Sequence, residues 1–531
     1  LSVFQWIGSN NSDLGNGGNW VDTTEPGMGQ PPGPNDVAII QSGQGLYGTL
    51  NVAGLDIVQY SGGPTISITG SSTQITASSL GIGLGFTLDN GAYIQAGTMG
   101  IDGDGTVVTV QNNALIYDLA GENDVLSIGA SSGSANVLLT KGGSMYYASQ
   151  DASGTLNLGG VSNSTATLTV SDQGDFAATL SGINIGAAAG ATGVLNVTGA
   201  GSQFLVDNYG YTTIGDFGEL GGSAQGTVSV TDGGYASLSS AGEVDVGTSG
   251  GMAKIVVSGA TSAIETGPFL EIGEDGTNIA GEIQVQTGGE FDNATDAYLN
   301  NGTIAVTGAN SLFTGRILVT DSGTTIQIGT GGLVHVADLD LAGTVKLSAG
   351  DLNVRAELYL SGGSEITGSG TISAATIDNA GLLVASGGTL VVSGPIIDTG
   401  TAQIRSGATL QLLGSAASGQ TITFGNGGDT LSLADVAGVA GHIVDFGTGD
   451  AIDLLNTTAT TLTYAGGGLT IDNGTKKVAK LEIKGKYTTA NFKLTSDNHG
   501  GSLITYVATS AVAPRPIVGP LGMIGPPHGA L

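Results

Sequence analysis

Leu156-Asn157-Leu158-Gly159, followed by Ala166-Thr167-Leu168-Thr169-Val170, decides how the whole chain reads. Both phrases return as Ile183-Asn184-Ile185-Gly186 and Gly193-Val194-Leu195-Asn196-Val197. The first phrase places its last apolar residue at Ile128, Leu158, Ile185, Ile214, Val246 and Ile272, in steps of 30, 27, 29, 32 and 26. The second continues as Gly226-Thr227-Val228-Ser229-Val230, Ala253-Lys254-Ile255-Val256-Val257, Gly281-Glu282-Ile283-Gln284-Val285 and Gly302-Thr303-Ile304-Ala305-Val306. Each phrase alternates apolar with small or polar residues, the period of a half-buried strand. Gly, Asn, Asp and Ser clusters between them supply turns.

A strand of four or five residues is not stable alone. Stacking equivalent strands from successive repeats buries one continuous apolar core and pairs the backbone along the stack. The expected fold is therefore all-β: a right-handed parallel β-helix (β-solenoid) over residues 50–413, with glycine at its tight corners. Two antiparallel sandwiches are the rival arrangement, but they give no reason for two phrases to recur in phase. The repeats blur after Val306.

Composition agrees and excludes several classes. Of 531 residues 95 are glycine, against a usual share of about 7 %. Charged residues make up 11 %, hydrophobic residues 40 %, and mean hydropathy is +0.22. Disorder needs low hydrophobicity with high charge, so a wholly disordered chain is excluded. Collagen is excluded by only 12 prolines and no Gly-X-Y register. No run of eighteen apolar residues occurs, so no transmembrane helix is expected. Lys+Arg 13 against Asp+Glu 44 gives a net charge of −31, and no Lys or Arg precedes Lys141. Such a surface repels nucleic acid and anionic headgroups. Cysteine is absent, which removes disulfides. The start at Leu1, without Met, basic segment or apolar segment, is read as a chain whose signal peptide has been removed, destined for the bacterial cell surface or the extracellular space.

The flanks differ from the repeats. Residues 1–49 contain the two tryptophans of the chain, in Trp6-Ile7-Gly8 and Gly18-Asn19-Trp20. They read as an N-terminal cap whose indoles cover the first exposed core; a sugar-stacking platform is the other reading. Residues 414–510 form a distinct C-terminal β module, with Asp445-Phe446-Gly447-Thr448-Gly449-Asp450-Ala451-Ile452-Asp453-Leu454 and the lysines Lys476, Lys477, Lys480, Lys484, Lys486 and Lys493. Residues 511–531 are a Pro/Gly-rich tail.

The Trp-x-Gly…Gly-Asn-Trp opening and the Ile-Gly…Gly-Thr-Val-x-Val repeats resemble passenger regions of autotransporter-like bacterial surface proteins. The Asp-Phe-x-x-Gly-Asp-x-Ile-Asp-Leu and Ser-Asp-x-x-Gly-Gly-Ser motifs resemble a module of large repetitive secreted proteins of alphaproteobacteria. The resemblance implies a secreted β-solenoid surface protein. The translocator barrel of an autotransporter has no counterpart in the sequence, which points to a released passenger or another export route.

Chemistry-bearing motifs are sparse. Phe424 to Leu431 partly matches a calcium nonapeptide, with Asp429 as its acid, and Asp102 and Asp104 form a short acidic turn. Calcium is the cation these oxygens suit, although it needs six to eight donors; a solvated turn is the plainer reading, and no other cofactor is expected. Asp338 with Asp340, and Glu271 with Glu274, are the acid pairs nearest to a glycosidase arrangement. Tyr146-Tyr147 and Tyr209-Gly210-Tyr211 are the aromatic clusters. The arginines Arg316, Arg355, Arg405 and Arg515 share no motif with these acids, and the four histidines have no metal spacing.

The expected function is therefore non-enzymatic: an extracellular surface fibre, filament, biofilm-matrix or adhesin component. A polysaccharide-degrading lyase or glycosidase on the same fold and a calcium-dependent carbohydrate-binding adhesin are the alternatives. The expected partners are other copies of the chain, head to tail through the Trp6–Trp20 end and the lysine-rich end, and a cell-surface or matrix polysaccharide.

Overall fold

The computed structural model describes residues 2–8, 11–25, 29–58, 65–83, 85–119, 125–129, 133–149, 153–215, 224–238, 242–247, 251–273, 281–425 and 427–508. Alternation is realised as strands throughout. The chain is all-β, and its long sheet is mostly parallel. Thr165–Ser171 pairs with Thr192–Thr198, then Gln225–Thr231, Met252–Ser258 and Gly281–Gln286, parallel at each step. Asp175–Ile185 pairs likewise with Gln203–Ile214, with a register shift after Leu180 that divides it into two lateral ladders. Each repeat thus supplies three strands, and each strand bonds to its equivalent one repeat away.

This pairing brings the predicted core residues into register. Ile128, Leu158, Ile185, Ile214, Val246 and Ile272 are successive lateral partners, all fully buried. Val170, Val197, Val230, Val257, Val285 and Val306 form a second buried ladder. A third is larger and less uniform, with Phe176 stacked on Phe204 at 4.9 Å and Phe291 on Phe313 at 5.3 Å. Each fully buried aliphatic or aromatic side chain contributes about 1.5–3 kcal/mol, so the ladders supply the stability that single strands lack. The glycine closing the first phrase has a steric reason: Gly186 sits at φ +66°, and a Cβ there would collide with the backbone of Gln225 in the next repeat.

The blurring after Val306 also has a cause. Leu168 is 27 residues from its partner Leu195, whereas Ile326 is only 19 from Val345. The turns shorten until strands run round the corners, as in Thr344–Leu360, whose pairing shifts register after Ser348 and Val354. Parallel pairing extends beyond 50–413 at both ends, from Val3–Gln5 on Val37–Ile39 to Thr430–Leu433 on Ala451–Leu454.

Both ends then turn antiparallel. Trp20–Asp22 lies antiparallel on Val3–Trp6. Trp6 and Trp20 meet edge to face at 5.1 Å, 4 % and 1 % exposed, and the Trp20 indole N–H donates to the Leu14 carbonyl at 2.8 Å. The indoles therefore cover core, where an outward sugar platform would need open rings. At the other end Ser502–Tyr506 lies antiparallel on Ala451–Leu454, with Phe492–Ser496 beyond it. Thr461–Ala465, Gly468–Asn473 and Lys476–Ile483 form an antiparallel meander. Phe446, Tyr464, Tyr487, Phe492 and Tyr506 pack together there. The tail 511–531 lies outside the described residues. Among those residues no helix is long and apolar enough to cross a membrane.

Candidate functional site

A strand with one face in the core presents its alternate residues outward, and lateral pairing lines these up across repeats. In Glu243–Val246 the valines point in, so Glu243 and Asp245 point out. Tyr211, Glu243, Phe269 and Asp296 are successive lateral partners; the adjacent outward row is Thr213, Asp245, Glu271 and Tyr298. The two rows place three carboxylates together, with Tyr211 (61 % exposed) on one side and Phe269 stacked on Tyr298 at 4.9 Å on the other.

One oxygen from each of Glu243, Asp245 and Glu271 lies within 4.8 Å of the others. Asn300 donates its side-chain amide to Glu271 Oε1 at 2.7 Å. Burial, and then the charge of Glu271, push the Glu243 carboxyl above its ordinary value, against a hydrogen bond shared with the Asp245 side chain. In the next repeats Arg316 Nη2 reaches Asp296 Oδ1 at 2.6 Å. Chemically the cluster offers an oxygen-only donor set of the kind a hard cation takes.

The residues singled out in the sequence are spread widely. Asp429 is fully buried; its Oδ1 accepts the Gly407 amide at 2.7 Å and its Oδ2 the Gly425 amide at 2.8 Å. Asp450, one level further, accepts the amides of Gly447 at 2.8 Å and Asp429 at 3.3 Å. Burial raises the Asp450 pKa, Asp429 adding to it, while these amide bonds pull the other way. Asp102 Oδ1 accepts the Gly103 amide at 2.7 Å, and Asp104 Oδ1 the Ser134 amide at 3.3 Å. These turns lie many levels from Asp429. Lys476, Lys477, Lys480, Lys484, Lys486 and Lys493 are all exposed at the end opposite Trp6 and Trp20. Lys480 and Lys484 grip Glu482 at 2.6 and 2.8 Å and hold its carboxyl at about 2. Asp338 and Asp340 flank buried Leu339 on an outward face, and Glu274 lies outside the described residues. Tyr146 faces out, whereas Tyr147 is 2 % exposed.

Glu243, Asp245, Phe269 and Tyr298 escape a reading that follows apolar positions. Their signal lies in the middle residues: superposing Val244-Asp245-Val246 on Leu270-Glu271-Ile272 puts acid beside acid. No protein-family model matches the chain, and no curated protein matches it either.

Proposed function

We propose that the chain is a right-handed parallel β-solenoid acting outside the cell as a stiff surface or matrix rod, without catalytic activity of its own. The observation that carries this reading is one uninterrupted lateral ladder. It steps from Val3 through Val37, Gly54 and successive repeats to Ile396, Ala416 and Val439, nineteen levels in all. At about 4.8 Å per step the ladder is about 86 Å long. Such a length places two chemically different ends, one acidic and one lysine-rich, far apart. The resemblance to secreted passengers supports an extracellular setting. Small-angle scattering and negative-stain micrographs test the reading. Single rods of about this length are expected; compact particles refute it, and end-to-end filaments would add self-assembly.

A second reading is supported by the Glu243–Glu271 pair beside an aromatic stack: a polysaccharide-cleaving enzyme, with the carboxyl raised at Glu243 as the acid. Product assays on pectin, alginate and glucan decide it. Turnover abolished by Glu271→Gln would replace the structural reading.

A further inference from the structure

On another outward face, we propose a binding groove for an uncharged polysaccharide, bounded by Tyr146 and Tyr235. The inference rests on the extracellular-rod reading for its setting and on separate residues for its chemistry. Gln95, Tyr117, Tyr146, Ala177, Leu205 and Ser237 are successive lateral partners on the outward side of one ladder. Tyr235 belongs to the neighbouring row, beside Gln203. The two rings therefore stand at either end of a floor of smaller side chains, Ala177, Thr179, Leu205 and Ser237, and border an open depression of about 450 Å³. That volume lies within the range of small-molecule sites.

The same row continues past Tyr117 to a second depression of about 350 Å³, lined by Thr76, Gln95, Gly97 and Leu119. The two depressions share one axis, the stacking direction. From Thr76 to Ser237 the row climbs six steps, about 29 Å at strand spacing. An extended chain of repeating units can reach both depressions across Tyr117, which a compact ligand cannot.

The polar groups indicate which chain. Tyr146 donates its hydroxyl to Asp175 Oδ2 at 2.7 Å, and this bond, then burial, pushes its pKa up. Burial first, and then a hydrogen bond with Glu265, raise that of Tyr235. Both phenols stay neutral and present flat apolar faces, on which the C–H side of a sugar ring packs. Asp207 lines the groove as a hydroxyl acceptor, while Asp175 and Glu265 hold the two phenols through hydrogen bonds. Residues 142–253 contain no lysine or arginine. Asp207 is the charged side chain of the lining and Lys141 stands in the turn before Ser144–Ala148, so uronate or sulfated chains meet mainly like charge there, and the ligand is a glycan without anionic groups.

The test uses the full chain in calorimetric titration at low salt. The probes are soluble neutral polysaccharides (dextran, laminarin, glucomannan and galactan), with alginate and polygalacturonate as anionic controls. Saturable binding to at least one neutral polymer, and none to the anionic ones, is expected. Tyr146→Ala with Tyr235→Ala should weaken it roughly ten-fold, as two lost ring contacts imply. Tyr359→Ala, on a different face, should leave it within about three-fold. Ala177→Trp fills the floor without removing a tyrosine and should weaken binding at least as much. Circular dichroism confirms that each variant folds. Absence of binding to every neutral polymer, equal binding of the anionic ones, or indifference to both the tyrosine and Ala177 variants overturns the proposal. Compact particles in scattering with tyrosine-dependent binding intact would refute the rod and leave the groove standing.

Discussion

Asp429 joins two levels of the ladder through one buried carboxylate, and removing it exposes how the corner is held. Asp429→Ala takes the acceptor from the Gly407 and Gly425 amides. Bonds to a charged acceptor are worth about 1.5–3 kcal/mol each. Gly407 is exposed and Gly425 half-buried, so water replaces part of what is lost. Relief of repulsion on Asp450 returns a little more. The expected loss is about 2–4 kcal/mol. Asp429→Asn keeps one acceptor but turns an NH₂ toward a donor, and should cost about half as much. Because repeat arrays open locally as well as globally, deuterium exchange on peptides spanning 403–409 and 423–430 is the direct readout, alongside guanidinium unfolding. Exchange should accelerate in those peptides and stay unchanged around Val194–Val197. An unchanged midpoint with unchanged local exchange, or protection lost evenly along the chain, would refute the reasoning.

Trp6→Ala should destabilise the N-terminal end by about 3–5 kcal/mol and shift the emission of Trp20, then the sole fluorophore of its type, to the red. Ile185→Asp buries an unpaired charge between Leu158 and Ile214; a loss of several kcal/mol is expected, seen as a lower melting temperature or as insoluble chain. For Glu271→Gln the sign follows from Glu243, whose raised folded pKa favours the fold below the unfolded value and penalises it as pH rises through the folded one. The variant should therefore melt slightly higher than wild type at pH 7, by under about 1 kcal/mol after solvent screening, with the difference vanishing in acid. Glu482 has the opposite sign: its ion pairs favour the fold above the unfolded carboxyl value and fade as pH falls toward about 2. Lys480→Gln with Lys484→Gln should move its carboxyl titration up toward the ordinary range in an NMR pH series, with little change in stability because the groups are largely exposed.

The inward residues were legible because the core permits few choices. Ile128 through Ile272, and Val170 through Val306, keep aliphatic side chains of nearly constant volume at each level, and Gly186 and its equivalents mark the corner at positive φ. The third strand was not legible: its inward row mixes Phe176, Phe204, Ala236, Ile264 and Phe291, so no phrase recurs. Outward chemistry was harder still. Solvent accepts almost any residue there, and Glu243, Asp245 and Glu271 become neighbours only once the register is known. Tyr146 and Tyr147 looked equivalent in the sequence; alternation sends the first to the groove and the second to the core.

Thr165 and Thr192 are lateral partners 27 residues apart, and each bonds only to the levels beside it. Excising residues 165–191 from the gene would seat Thr192 on Ser134, where Thr165 had been, and leave both termini untouched. On the rod reading proposed above, the molecule is a measuring stick: recombination between its own repeats would lengthen or shorten its reach in increments of about 4.8 Å, with the two uniform ladders unchanged and only the mixed third row repacked.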